Sequence, residues 1–230
     1  MLLIVNSMPK CGSTWFHDYV VRCLSAVGHP TARQATAGRP ITLNDRDNPG
    51  SLEGEVLQIL LDAARSQTFA VKAHVPSNRE LVAALRGSTA RAVFLIRHPA
   101  DVVRSSLAYG EDCRRAGREE PYANFYRAED AAAFVEPFVT WAERWLALGG
   151  AGRVIRYEHL FAADENILAA IHELAPDTDS VAAEILEDMG PQNLSQPERD
   201  RLRVNLVRRP DIGDGVAAAC DAWARRLGYP

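Results

Sequence analysis

Residues 2–27 constrain this chain more than any other stretch. A short apolar run, Leu2 to Asn6 (LLIVN), passes through the turn SMPKCGST into WFHDYVVRCLSAV. The run reads as a buried β-strand and the segment after it as a helix, with Ser13 or Thr14 as its N-cap. The pattern then repeats. TFAVKAHV (68–75), ARAVFLIR (90–97) and GRVIRYEHL (152–160) read as further strands. Helices are expected over about 52–65, 78–86, 99–108 and 130–148, with Pro137 a possible kink in the last. The third run is nearly continuous in apolar residues, which suits a parallel strand covered on both faces. Strand–helix alternation at this spacing predicts one α/β domain over residues 1–230. Its central parallel β-sheet is flanked by helices on both faces, with a phosphate-binding loop after the first strand. Ligands of such sheets bind at the carboxyl ends of the strands.

Composition narrows the function classes. The 230 residues carry 26 Lys and Arg against 30 Asp and Glu, a net charge of −4. That balance speaks against a dedicated nucleic-acid binder, which needs a basic excess. A 47% hydrophobic and 24% charged composition excludes disorder as the main state. No run reaches the ~18 apolar residues of a membrane span. MLLIVNSMPK has no basic leader ahead of its apolar residues, so it does not read as a signal peptide. Cys11, Cys23, Cys113 and Cys220 show no C-x-x-C spacing, which argues against structural zinc and a disulfide framework and for a cytoplasmic location. No carboxylate cluster suggests a metal.

The turn Pro9-Lys10-Cys11-Gly12-Ser13-Thr14-Trp15 has the makings of an anion cradle. Backbone N–H groups and a helix N-terminus point at one concavity, and Gly12 permits close approach. Lys10 adds a charge, and Ser13 and Thr14 add hydroxyls. The order is not that of a Walker A loop, G-x-x-x-x-G-K-[ST]. Alone, the pattern also fits an ordinary strand–turn–helix corner with a surface lysine.

PKCGSTW resembles the PKSGTTW-type loop of sulfotransferases that use 3′-phosphoadenosine 5′-phosphosulfate (PAPS). The resemblance implies that Lys10 is catalytic, that Cys11, Gly12, Ser13 and Thr14 cradle the 5′-phosphosulfate, and that Trp15 contacts adenine. Cys11 stands where the family usually has Ser. Three further segments carry the likeness. Arg97-His98-Pro99-Ala100-Asp101-Val102-Val103-Arg104-Ser105 is similar to R-N-P-x-D-V-x-V-S, which implies that Arg97 and Ser105 hold the 3′-phosphate; Arg104 departs from the pattern. Lys72-Ala73-His74-Val75-Pro76 resembles K-T-H-L-P, which implies His74 as the base for the acceptor hydroxyl and Lys72 at the sulfonate. Alternation along the strand puts Lys72 and His74 on one face. Arg208-Arg209-Pro210-Asp211-Ile212-Gly213-Asp214-Gly215 is similar to R-K-G-x-x-G-D-W, which implies that Arg208 and Arg209 clasp the 3′-phosphate; Pro210 and Gly215 depart. Tyr157, in RYEHL, stands where the family's Y-E-D-L places an adenine contact.

The expected activity is sulfuryl transfer from PAPS to a hydroxyl, or an amine, of a small-molecule acceptor, with His74 as general base and no metal. Loops 28–50 and 110–128 are expected to border the acceptor. Tyr122, Phe125 and Tyr126 would line it or pack the loop down. Arg114, Arg115 and Arg118 would meet an acidic acceptor or form a solvated surface with Glu119 and Glu120. Cys11, as a thiol at a helix N-terminus, is either oxidation-prone or an inert small side chain. The alternative is a P-loop-type small-molecule kinase or NTPase, which would need Mg²⁺ and a Walker lysine that is missing. A nucleotide-binding module without catalysis would have no need of the base at His74. The family's C-terminal dimer motif has no clear match, so the oligomeric state stays open.

Overall fold

The computed structural model describes residues 1–149, 152–160, 165–190 and 210–230. The first apolar run forms β1 (Leu2–Ser7), all six residues buried. It is followed by α1 (Ser13–Ala26), a single-turn α2 (Ala32–Ala35) and α3 (Gly54–Ala64). Next come β2 (Phe69–Ala73), α4 (Arg79–Arg86), β3 (Ala90–Ile96) and α5 (Pro99–Arg115). A 3₁₀ turn at Pro121–Asn124 leads to α6 (Ala128–Leu146) and β4 (Arg153–Arg156). The remaining described helices are α7 (Glu165–Leu174), α8 (Asp179–Asp188) and α9 (Gly213–Arg226).

The four strands form one parallel sheet in the order β2-β1-β3-β4. Register runs Leu2 opposite Phe69 on one side of β1 and Leu2 opposite Ala90 on the other; Val93 lies opposite Arg153. From β1 the chain moves one way to β2, then crosses back over β1 to β3 and on to β4. α1 packs against β1 and β2, and α4 and α6 pack against β3. The direction of winding reverses at β1, so the crevice that binds ligands in such sheets opens at the carboxyl end of β1. The turn that follows β1 lies there.

Both faces of the sheet are covered, which is why β1 and β2 bury every residue and β3 leaves only Arg91 half-exposed. Phe94 on β3 stacks on Trp145 of α6, with ring centroids 5.3 Å apart and planes at 10°.

Two local expectations are corrected. α1 is capped by Gly12 at φ 78°, with no side-chain cap, and Ser13 and Thr14 lie inside its first turn. The tight turn needs a left-handed residue where the helix starts, and glycine adopts that conformation without steric cost. The helix after Pro99 runs to Arg115 instead of ending near Ala108. Gly110 lies inside α5, where it makes room for a neighbour. A Cβ there would collide with the carbonyl of Tyr122, so the missing side chain lets the 3₁₀ turn lie against the helix. Arg115 pairs with Glu111 one turn back, which supports the polar last turns.

Candidate active site

Three strand ends build the site. Beyond Ser7 the N–H of Met8 donates to the carbonyl of Leu95 at 3.1 Å, extending the β1–β3 ladder by one step. The chain then turns through two left-handed residues, Lys10 at φ 58° and Gly12 at φ 78°. Such a turn directs successive N–H groups into a concavity. Gly12 is held close to its neighbours: a Cβ would stand 2.5 Å from Cδ1 of Leu160 and 3.2 Å from Cδ2 of Tyr157. Cys11 is fully buried, its Sγ donating to the carbonyl of Pro9 at 3.3 Å. Burial pushes its thiol well above the usual range, so the inert reading of Cys11 fits and the oxidation-prone one does not.

Arg97 leaves the end of β3 and passes beneath this turn. It is 5% exposed. Its Nη1 donates to the carbonyl of Lys10 at 3.1 Å, and its guanidinium lies 4.0 Å from the ring centroid of Tyr157. Its buried Nε has no hydrogen-bond partner among the described residues. A buried charged donor without a partner costs free energy. Ser105 is buried on α5, two turns from Pro99. Tyr157 packs against Gly12 and Arg97 and is nearly buried. Trp15 is half-buried, donating from Nε1 to the carbonyl of Met189 at 3.3 Å and stacking on Tyr19.

Lys10 sends its ammonium toward α5, where it rests 3.8 Å from the ring centroid of Tyr109 and 5.7 Å from that of Tyr122. Burial, helped by Arg97, lowers its pKa to about 8. The Tyr109 hydroxyl donates to Glu120 at 2.9 Å. Tyr109 does not stand out in the sequence reading, and Glu120 enters it only as part of a solvated surface. One signal was available, since Tyr109 lies four residues after Ser105 and so shares its helix face.

On the other side of β1, Lys72 is buried at 8% exposure, and burial followed by Arg46 lowers its pKa to about 8. Its N–H donates to the carbonyl of Asp47 at 3.3 Å, which lays part of loop 28–50 along the outer edge of β2. His74 follows the last residue of β2 and is half-buried. Its Nδ1 lies 3.0 Å from the carbonyl oxygen of Ser7 and 3.1 Å from the Ser7 hydroxyl. Burial, then the charge of Lys72, lowers its pKa to about 4 against the opposing pull of the Ser7 carbonyl. At neutral pH the imidazole is uncharged.

The structure thus brings Arg97, Tyr157 and the cradle together and sets His74 against the residue that leads into the cradle. Arg208 and Arg209 lie outside the described residues. A cavity of about 730 Å³ between α5, Phe125–Ala128 and Pro210–Asp211 includes none of Lys10, Lys72, His74 or Arg97 among its lining residues. Among the described residues no group of His, Cys, Asp and Glu is placed to hold a metal ion, and no helix is long and apolar enough to cross a membrane.

Solved structures share this architecture. Retinol dehydratase in complex with androsterone and the inactive cofactor PAP superposes with a TM-score of 0.54 at 12% sequence identity, over 98% of this chain and 80% of that one. The chain has the fold of retinol dehydratase. Retinol dehydratase in complex with retinol and PAP gives the same values. Mouse sulfotransferase SULT7A1 complexed with PAP matches at 15% identity and a TM-score of 0.48, over 100% of this chain and 85% of that one. No protein-family model and no curated protein sequence matches the chain.

Proposed function

We propose that this protein transfers the sulfuryl group of PAPS to a hydroxyl, or an amine, of a small-molecule acceptor. The observation that carries the reading is the hydrogen-bonded contact between His74 and Ser7, which sets a neutral base at the entrance to an anion cradle. The residues fit the donor on two counts. Arg97 has a buried Nε in need of an acceptor, and Gly12 gives the turn a left-handed residue with no side chain.

In this reading the backbone N–H groups from Cys11 to Thr14, with Lys10, hold the 5′-phosphosulfate end. Arg97 and Ser105, together with Arg208 and Arg209, hold the 3′-phosphate, and Trp15 and Tyr157 take the adenine. PAPS, when bound, supplies an activated sulfuryl group on a phosphate leaving group. His74 accepts the acceptor's hydroxyl proton. Lys10, Lys72 and the cradle N–H groups offset the negative charge that develops, in a site arranged for it beforehand. A cytoplasmic location and one domain over residues 1–230 belong to the same reading. The solved neighbours hold androsterone and retinol, and a small hydroxyl-bearing acceptor is the corresponding proposal here.

Calorimetry tests the donor. Adenosine 3′,5′-bisphosphate is expected to bind at least tenfold more tightly than ATP in the presence of EDTA, about 1.4 kcal/mol. An acceptor screen with radiolabelled PAPS then tests transfer. Equal or better binding of ATP, with a requirement for Mg²⁺, would point to the kinase reading instead.

A further inference from the structure

We infer that Asn6 is a positioning residue that aims the imidazole of His74 through a side-chain clamp on the backbone of Val75. The inference extends the reading of His74 as the base. β1 and β2 pair in register up to Asn6 opposite Ala73. Past that pair β2 has ended, and the segment with His74 has no strand ladder to define it. The side chain of Asn6, 0% exposed, takes over. Its Nδ2 donates to the carbonyl of Val75 at 2.8 Å, and its Oδ1 accepts from the N–H of Val75 at 3.1 Å. Oδ1 also accepts from the N–H of Ser7 at 3.0 Å. The Val75 carbonyl receives a second hydrogen bond, from Nε1 of Trp145 at 3.2 Å. His74 is thereby held between two fixed neighbours, Ala73 in the ladder and Val75 in the clamp.

The clamp has a chemical consequence. A carbonyl oxygen can only accept, so the Ser7 carbonyl 3.0 Å from Nδ1 favours a proton on Nδ1, with the Ser7 hydroxyl at 3.1 Å as a second acceptor; an unprotonated Nδ1 accepting from that hydroxyl would set its lone pair against the carbonyl. The lone pair then lies on Nε2, the nitrogen that must take a proton from the acceptor. One buried amide therefore fixes both the place of the ring and, through Ser7, its tautomer. It also ties the base to the strand that leads into the cradle, so the two halves of the site share one register. The two amide atoms of Asn6 are both required. An aspartate would set an oxygen against the Val75 carbonyl, and an alanine would leave the N–H of Val75 without its side-chain partner and the carbonyl with Trp145 alone.

The test combines spectroscopy with kinetics. In the intact protein, ¹⁵N-edited NMR of the His74 ring is expected to report one tautomer, protonated at Nδ1. Asn6→Ala and Asn6→Asp are expected to give a mixture of tautomers. Their kcat is expected to fall by about 10- to 100-fold, the scale of an ångström-level misplacement, while KM for PAPS stays within about twofold. In a His74→Ala background the same substitutions are expected to cost almost nothing more. A wild-type ring protonated at Nε2 would overturn the inference without any variant. So would an equal loss of kcat with and without His74, the signature of a merely structural role. If His74→Ala turns over normally while the tautomer still scrambles on loss of Asn6, the clamp stands and the assignment of the base falls.

Discussion

The ammonium of Lys10 rests 3.8 Å above the ring of Tyr109, with Tyr122 behind it and the guanidinium of Arg97 bonded to its own carbonyl. The lysine proposed to hold the 5′-phosphosulfate end is thus held by an aromatic face on α5. A cation–ring contact of this kind contributes on the order of 0.5–2 kcal/mol. If the ammonium leaves the ring when an anion binds, the ring competes with the anion. Tyr109→Leu is then expected to lower stability by about 1 kcal/mol and to tighten adenosine 3′,5′-bisphosphate binding up to several-fold. Urea unfolding and calorimetry read the two effects. A tenfold weaker complex would mean that Lys10 meets the anion from its place on the ring.

Proton uptake on binding follows from the two lysines. Lys10 and Lys72 are each lowered to about 8, so near that pH a substantial fraction of each is neutral. An anion beside them favours the charged form and raises both pKa values. Binding of the bisphosphate at pH 8 is therefore expected to take up protons, and affinity is expected to fall as pH rises above 8. Calorimetry in buffers of different ionisation enthalpy measures the uptake, and Lys10→Met is expected to remove a large part of it.

His74 makes stability depend on acid. Its pKa is 6.5 when unperturbed and about 4 in the fold. Between those values the unfolded chain binds more protons than the native one, so stability falls as pH drops from 6.5 towards 4. The full effect is on the order of 2–3 kcal/mol. Urea unfolding at pH 7 and pH 5 is expected to show a steeper loss for wild type than for His74→Gln. Parallel losses would mean that the imidazole is not buried as a neutral group.

Loss of the base is expected to separate chemistry from binding. General-base catalysis supplies roughly 10²–10⁴-fold, so His74→Ala is expected to lose that much sulfuryl transfer while binding the bisphosphate normally. Near-wild-type turnover would reject the assignment.

Gly12 tests the cradle itself. Alanine there meets both a φ of 78° and a Cβ contact 2.5 Å from Leu160. Gly12→Ala is expected to cost on the order of 1–3 kcal/mol of stability and to abolish nucleotide binding. Adding Leu160→Ala relieves the contact but not the backbone strain, so thermal unfolding of the double variant is expected to recover only in part.

The local parts of this architecture were legible in the residues. LLIVN followed by PKCGST and an amphipathic stretch specifies a buried strand, a turn and a helix, because each depends on neighbours a few positions away. The apolar continuity of ARAVFLIR announced a strand covered on both faces for the same reason. The full length of α5 was not legible, because the role of Gly110 inside it lies in the carbonyl of Tyr122, a partner on another element. The reach of Lys10 was equally hidden, since nothing near position 10 indicates a tyrosine 99 residues later.

What the sequence by itself determined is which groups the strand ends carry: a glycine-containing turn with Lys10, the imidazole of His74 and the guanidinium of Arg97, in that order along the chain. What only the tertiary structure decided is how they face one another. Asn6 grips Val75 across 69 residues, Ser7 meets Nδ1 of His74 with its carbonyl and its hydroxyl, and Arg97 is carried beneath the turn with its Nε buried. These relations depend on strand register and on the exclusion of water, and both exist only once the sheet has assembled.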